Sequence, residues 1–493
     1  MIYNFNLGIG WASSGVEYAQ IYRARMFRNI GVDAKFVFTD MFPSENMEHM
    51  TKNIGFLDSE IIWLYTFFTD FKTAPVTYTL NDLEKTFTDS NYTKTREGKI
   101  CRYVFGGSNN FYTAYMVNDH DDFVHRVELV SNGFLIRKDY FTYGRIYSEY
   151  YAPLDNKAHL YHRRFFNENG SVAYEEIIDD DRVMYKFKDK ILCSKEEFVG
   201  YMVSQLHLTK DDVVLIDRST DIGQSILMNC KPARVGTVVH ADHFSEKDTN
   251  DDYILWNNFY EYEFNMHKHI DFYVCSTQAQ SDLMVQQFEK YYGVTPCVYT
   301  IPVGSLPELK YPKENRKPFS LITASRLASE KHVDWICKAV IQAHTEVPEL
   351  SLDIYGVGGE REKLETIIRD NNASDYIHLM GQHDLSEVYQ NYEAYIAGST
   401  SEGFGLTLME AVGGGLPIIG FDVRYGNPTF IRNGENGYLI KLPEEDKDKI
   451  EALRKGIVDL FKQDLEKCHS VSYEVAKDFL TCNVQEKWRE AVC

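Results

Sequence analysis

Two carboxylates bracket the strongest chemical signal in this sequence. Glu402 and Glu410 stand eight positions apart in Glu402-Gly403-Phe404-Gly405-Leu406-Thr407-Leu408-Met409-Glu410, after an apolar run over 394–397. Glycines at 403 and 405 let a ligand approach the backbone closely. A helix opening after them aims its first N–H groups and the positive end of its dipole at an anion. Glu402 then sits in the turn, facing sugar hydroxyls, and Glu410 lies about two turns on, placed to accept hydrogen bonds from a ribose diol. The plainer alternative is a glycine-rich cap followed by a solvated acid.

A second signal is Ser325-Arg326-Leu327-Ala328-Ser329-Glu330-Lys331, directly after the apolar run 319–324. Two cations five positions apart in a strand-to-helix loop can bracket a diphosphate; the alternative is an ordinary charged loop. A third is Val239-His240-Ala241-Asp242-His243-Phe244, where a histidine at a strand end reaches the carboxyl edge of a sheet. His243 is the first choice there and His240 the second. The ligand types in His240-Asp242-His243 also suit a metal, a weaker reading. The N-terminal Gly8-Ile9-Gly10 and Gly15-Val16-Glu17-Tyr18 form a glycine-rich turn without a clean G-x-G-x-x-G, so a dinucleotide site is not indicated.

These groups need a scaffold. Strand-like 2–6, the glycine turn, a helical stretch to about 30 and strand-like 34–39 open a doubly wound α/β unit. From 75 to 193 the chain changes to short alternating runs rich in Tyr, Phe and Val, separated by turns such as Ser131-Asn132-Gly133 and Asn167-Glu168-Asn169-Gly170. This predicts an antiparallel β-meander inserted in the first domain, for acceptor or partner binding, whose excision should spare the nucleotide site but impair that binding. Apolar runs at 213–217, 234–240, 272–276 and 297–302 resume the α/β rhythm over 194–306. A proline-bearing linker, 307–318, leads to strands expected at 319–324, 350–355, 377–380, 394–397 and 417–421. The segments are therefore 1–74, 75–193, 194–306 and 307–471, with a last helix over 472–493.

The chain has 493 residues, 52 basic against 73 acidic, for a net charge of −21. Such a balance argues against nucleic acid as a partner and requires any phosphate pocket to be locally basic. Nine cysteines without a C-x-x-C pair read as reduced thiols. With no signal peptide and no apolar run long enough to span a bilayer, a cytoplasmic protein is expected. Peripheral contact with the inner face of the membrane is compatible with this.

The Arg326-x4-Lys331 loop, with the E-x7-E motif about 75 residues later, resembles the C-terminal domain of retaining GT-B glycosyltransferases of family four. The resemblance implies two Rossmann-like domains facing a cleft. It implies Arg326 and Lys331 on the donor diphosphate, Glu402, Gly403, Phe404, Gly405 and Leu406 at the transferred sugar, and Glu410 on the ribose. It places His383, Asp384 and Leu385 beside uracil. Gly15, Val16, Glu17 and Tyr18 would face the nucleotide phosphates or the sugar, and His243 or His240 would position the sugar. No metal or other cofactor is expected, because cations and a helix dipole cover the diphosphate.

Over the full length, "NLGIGWASSGVEYAQ", the aromatic insertion and "VVHADHFS" resemble the GtfA-type transferases that begin O-glycosylation of serine-rich-repeat adhesins. This implies UDP-N-acetylglucosamine as donor, Ser/Thr hydroxyls of an adhesin as acceptor, and a homologous GtfB-type subunit as partner. Two other readings remain: a non-catalytic acceptor-binding subunit, and a lipid- or polysaccharide-directed transferase, for which Arg23, Arg25 and Arg28 on the first helix would supply a basic face.

Overall fold

The computed structural model describes residues 1–9, 15–43, 45–106, 109–155 and 157–493. Gly10, within the predicted glycine turn, lies outside the described residues. Contacts divide the chain into two units, one of Met1–Ala24, Val32–Thr237 and Asn258–Asp271, the other of Arg25–Gly31, Val238–Asn257 and Phe272–Cys493.

In the first unit Ile2–Asn6 is a central parallel strand, with Ala34–Phe38 on one side and Val213–Ile216 on the other. Ile61–Trp63 extends the first side and Arg234–Val239 the second. Val213–Ile216 is buried along its whole length, the expected character of a parallel strand covered on both faces. Beneath this sheet Arg23 and Asp217 form a buried ion pair at 2.5 Å, completed by Asn4 accepting from Arg23 at 2.8 Å and Gln20 donating to Asp217 at 2.8 Å. Arg23 thus belongs to the interior and not to a basic surface, which leaves Arg25 and Arg28 as the exposed arginines of that helix.

The insertion is a ten-stranded sheet in which every strand pairs antiparallel with the next in sequence, from Tyr92–Glu97 at one edge to Ile191–Leu192 at the other. Its turns match the sequence signals: Asn132 and Gly133 take φ of 52° and 83°, the left-handed pair that a two-residue hairpin needs. The insertion is not a detachable module, because Tyr147, Phe165, Tyr174 and Tyr185 of its sheet share one core with Phe36, Trp63, Tyr65 and Phe198 of the α/β part. Most of its aromatic residues are therefore structural.

In the second unit a six-stranded parallel sheet runs in the order Ile377–Gly381, Ser351–Tyr355, Ser320–Ala324, Ala394–Ile396, Ile418–Phe421, Gly437–Ile440. Five of these strands were expected. The sixth was missed because four residues led by a glycine give little pattern. The strands Phe272–Cys275 and Val298–Thr300 pair in parallel and stand in the same seven-stranded sheet as Ile2–Asn6 and Val213–Ile216, where the sequence placed them. The last helix, Thr481–Val492, packs on Val298–Thr300, and its Trp488 meets Phe27 edge-on at 5.4 Å. The single helix expected from 472 is in fact two, Leu465–Lys477 and Thr481–Val492. The break is tied down by hydrogen bonds from Leu306 N to Phe479 O and from Thr481 N to Leu306 O, at 2.8 and 2.9 Å. Among the described residues no helix is long and apolar enough to cross a membrane.

Candidate active site

The loop after Ser320–Ala324 carries the two cations, and a second glycine loop holds it in place. Ser325 N donates to Tyr355 O and Leu327 N to Val357 O, both at 3.0 Å. A Cβ on Gly356 (φ 135°) would lie 1.9 Å from Ser325 O, and one on Gly358 2.3 Å from Leu327 O. Glycine is required at both positions for the loops to lie together. Sequence reasoning missed this pair, although Gly356-Val357-Gly358-Gly359 directly follows a predicted strand and was there to be read.

Lys331 ends a short 3-10 turn, Ser329–Lys331, and its Nζ lies 2.6 Å from Glu402 Oε2, with both side chains 20% exposed. The structure therefore joins the two strongest sequence signals, 71 positions apart, in one ion pair. Gly398 permits the approach: a Cβ there would come within 2.8 Å of His332 O and 3.0 Å of Lys331 O. Arg326 is different. Its side chain is 79% exposed and pairs at 3.2 Å with Glu330 on the same turn. It shares the loop with Lys331 but stands at its outer rim.

Glu402 is fixed from its backbone. Its carbonyl accepts from Tyr425 N and Gly426 N at 2.6 and 2.7 Å, and its N–H donates to Arg424 O at 3.1 Å. A Cβ on Gly426 would lie 2.3 Å from Phe404 O. Gly405, at φ 89°, caps the helix Leu406–Gly413, so Gly403, Gly405 and Leu406 line the helix start as predicted, while Phe404 is a buried core ring. Tyr389 donates to Glu410 Oε2 at 3.0 Å, and burial raises the Glu410 pKa. Tyr389→Phe should loosen this carboxylate and raise KM for a nucleotide-sugar about threefold to tenfold, the effect of one hydrogen bond; steady-state kinetics with varied donor checks it.

His383 and Asp384 are exposed beyond Ile377–Gly381. His383 Nε2 lies 2.9 Å from Met380 O, and its ring meets that of Tyr355 edge-on at 5.8 Å. Asp384 accepts from Ser386 N at 3.0 Å, which lowers its pKa. Leu385 is half-buried against the core beneath.

The histidine choice is corrected. His243 is wholly buried. Its Nε2 lies 2.7 Å from Gln287 Oε1 and its Nδ1 3.3 Å from the Tyr425 hydroxyl, which suits a neutral ring protonated on Nε2. It supports the turn that holds Glu402 instead of presenting a group to a sugar. His240 is half-exposed at the strand end, and its carbonyl lies 3.4 Å from where a Cβ on Gly403 would stand. The signal that separates the two is tertiary: the chain turns inward after Asp242, so that His243 stacks on Trp256 and Tyr425 at 6.1 and 6.0 Å. Arg424, also missed, lies over the Phe244 ring at 4.8 Å and pairs with Glu246 at 3.0 Å.

Burial pushes the His243 pKa down from 6.5 to about 4. Below about 6.5 the unfolded chain takes up a proton that the folded chain refuses until about 4. Stability should therefore fall as pH drops through that window, by up to about 3 kcal/mol from this group. His243→Asn should shrink the difference between thermal midpoints at pH 7 and pH 5, and an unchanged difference would contradict the assignment.

Gly15–Tyr18, in the first unit, opens the helix Gly15–Ile30. Val16 and Glu17 are buried and Tyr18 is exposed, so of these side chains only that of Tyr18 is presented to solvent. Among the described residues no atom lies within 4 Å of a Cβ built on Gly15. Among the described residues no group of three or more His, Cys, Asp or Glu side chains is placed to hold a metal ion.

Family models match in two places: the GtfA extended beta-sheet domain over residues 93–189 and glycosyl transferases group 1 over residues 308–478. A Streptococcus agalactiae protein described as a UDP-N-acetylglucosamine–peptide N-acetylglucosaminyltransferase GtfA subunit is 52% identical, over 99% of this chain and 97% of its own length. A crystal structure of a GtfA/B complex contains a chain that is 52% identical, covers 100% of this chain and 99% of that one, and superposes with a TM-score of 0.97. The pneumococcal O-GlcNAc transferase GtfA, solved with UDP and GlcNAc, is 49% identical over 100% of this chain and 98% of its own, with a TM-score of 0.88.

Proposed function

The chain belongs to the GtfA-subunit family of GT-B glycosyl transferases, and on that premise we propose that it transfers N-acetylglucosamine from UDP-N-acetylglucosamine to Ser/Thr hydroxyls of a polypeptide. The observation that carries this reading is the Lys331–Glu402 pair, set at the glycine-led start of a helix that bears Glu410. A lysine and a helix start form an anion dock in an acidic molecule. Lys331 stabilises the UDP leaving group as the glycosidic bond lengthens, and Arg326 swings from Glu330 to the outer phosphate oxygens. Stabilisation of developing charge by fixed cations is the main catalytic effect available here. Glu402 and the backbone of Gly403 and Gly405 hold the sugar, Glu410 holds the ribose, and His240 takes the place at the sugar first given to His243.

The attack comes from the same face as the departing phosphate, which takes the acceptor proton, so configuration is retained. No metal is required for charge neutralisation. The acceptor is a serine-rich-repeat adhesin, the working form is a complex with a GtfB-type subunit, and the compartment is the cytoplasm. The activity described for the relatives, the solved GtfA/B complex and the bound UDP and GlcNAc of the pneumococcal protein support the donor and partner assignments. Mass spectrometry of a Ser/Thr-rich peptide incubated with this chain, its partner and UDP-N-acetylglucosamine tests the reading. A gain of one or more N-acetylhexosamine masses supports it, and no gain with intact UDP-sugar defeats it.

A further inference from the structure

The residue that follows Lys331 takes a backbone conformation that its side chain opposes. His332 has φ 46° and ψ 42°, in the left-handed region. It closes the turn Ser329–Lys331 and opens the helix Val333–His344. Its N–H donates to Ser329 O at 3.2 Å, and its carbonyl accepts from Trp335 N at 3.0 Å. A position with these angles favours glycine, because a Cβ there crowds the following carbonyl. Non-glycine residues held in this way are enriched at active sites, where the surrounding structure fixes them. A histidine in this place therefore calls for a compensating contact.

That contact is a ring stack. The imidazole lies on the Trp335 indole, with centroids 3.5 Å apart and planes 4° from parallel. Trp335 is itself fixed. It is 4% exposed, meets Phe421 of the strand Ile418–Phe421 edge-on at 6.3 Å, and has Lys449 Nζ 4.7 Å from its ring centroid. The His332 side chain does not cap the helix by a hydrogen bond. Burial lowers its pKa, so near pH 7 the ring is neutral and offers a flat surface instead of a charge.

The same turn is seated at its backbone, where the carbonyls of Lys331 and His332 lie against Gly398. Gly398 thus holds the main chain and Trp335 the side chain of the residue next to Lys331. A lysine reaches its partner over a flexible four-carbon stem. Its ammonium stands at Glu402 reproducibly only if its Cα is fixed, and a cation in place before charge develops is what stabilises a leaving group.

We infer that His332 is a positioning residue for the transfer reaction: by stacking on Trp335 it holds the left-handed turn that sets Lys331 Nζ beside Glu402. The inference rests on the donor reading above and deepens it, since His332 acts on the diphosphate only through Lys331.

The test uses the full chain with its partner subunit, in a double-mutant cycle with Lys331→Ala. His332→Gly suits the turn but removes the ring. Its kcat should fall about tenfold, the scale of a slightly misplaced catalytic group, while KM for a Ser/Thr-rich peptide holds. The thermal midpoint should change little, because relief of the backbone offsets the lost stack. His332→Phe puts a flat ring back on the same Cβ and should recover most of the turnover. His332→Asn, also at ease in the left-handed region, carries the test if His332→Gly folds poorly. In the Lys331→Ala background the loss of the ring should cost no further turnover, since the group it positions is gone. Affinity for UDP, measured by calorimetry, gives the same cycle where Lys331→Ala turns over too slowly to follow. An equal fractional loss in both backgrounds would overturn the inference, because general loosening of the helix Val333–His344 produces that result. Unchanged kcat in His332→Gly would overturn it too, as would a His332→Phe as slow as His332→Gly. Transfer by the parent and its loss in Lys331→Ala check the donor reading separately. Failure there condemns that reading and the inference with it; success there with an unchanged His332→Gly condemns the positioning role alone.

Discussion

Lys331→Ala should lower kcat by about 100- to 1,000-fold, corresponding to about 2.7–4 kcal/mol of lost transition-state stabilisation. The reasoning starts from the 2.6 Å contact with Glu402, in a pair whose side chains are each 20% exposed. With Lys331 gone, negative charge growing on the UDP leaving group loses its fixed cation. Glu402 is also left as a partly shielded carboxylate facing that same charge. Both effects act more strongly in the transition state than in the bound ground state, so the loss falls on kcat as well as on kcat/KM. Lys331→Ala with Glu402→Gln should be milder than the product of the single changes, because the repulsive carboxylate goes too; groups in contact are non-additive in this way. Arg326→Ala should leave stability within about 0.5 kcal/mol, since an exposed i,i+4 pair contributes little. Its activity loss then reports the diphosphate contact alone. Single-turnover rates with saturating UDP-N-acetylglucosamine decide the matter, and normal turnover in Lys331→Ala would end the mechanism.

How far the sequence foretold this site depends on how local each signal is. The cation loop and the glycine-led helix are each continuous in sequence and follow apolar strands, so residue order alone placed Lys331, Glu402 and Glu410. The five expected strands of the second sheet were legible for the same reason: each is a short run dominated by apolar residues. Three features were not local. Gly356 and Gly358 matter only because the 325–327 loop lies against them. Arg424 to Gly426 matter because they return beside Glu402 after the strand Ile418–Phe421. His240 and His243 look alike in sequence, and only the inward turn toward Gln287 and Tyr425 tells them apart. Arg23 is a similar case, since a charged residue on a helix reads as surface until Asp217, nearly two hundred positions away, is seen beneath it.

The insertion shows its strands in the local pattern, but not whether it is an independent part. Phe165→Ala should show that it is not, by destabilising the sheet and the α/β core of the first unit together, by about 3–5 kcal/mol. Phe165 has no exposed surface. Its ring stacks on Tyr174 at 4.5 Å, Tyr147 at 5.4 Å and Tyr65 at 5.7 Å. The first two belong to the insertion, while Tyr65 lies on the short helix Leu64–Phe67, which follows an α/β strand. Removing the ring opens a cavity in the layer that joins them, and close-packed neighbours refill such a space only in part. Met184→Ala, on an exposed position of the same sheet, should cost under about 0.5 kcal/mol. A chain of this size need not unfold in one step, so hydrogen exchange resolved by segment is the better measurement. In Phe165→Ala, amides of 36–38 and of 172–179 should lose protection to the same extent. Loss confined to the insertion would restore the detachable module. Equal loss in both would mean that the sheet is part of the first unit's core.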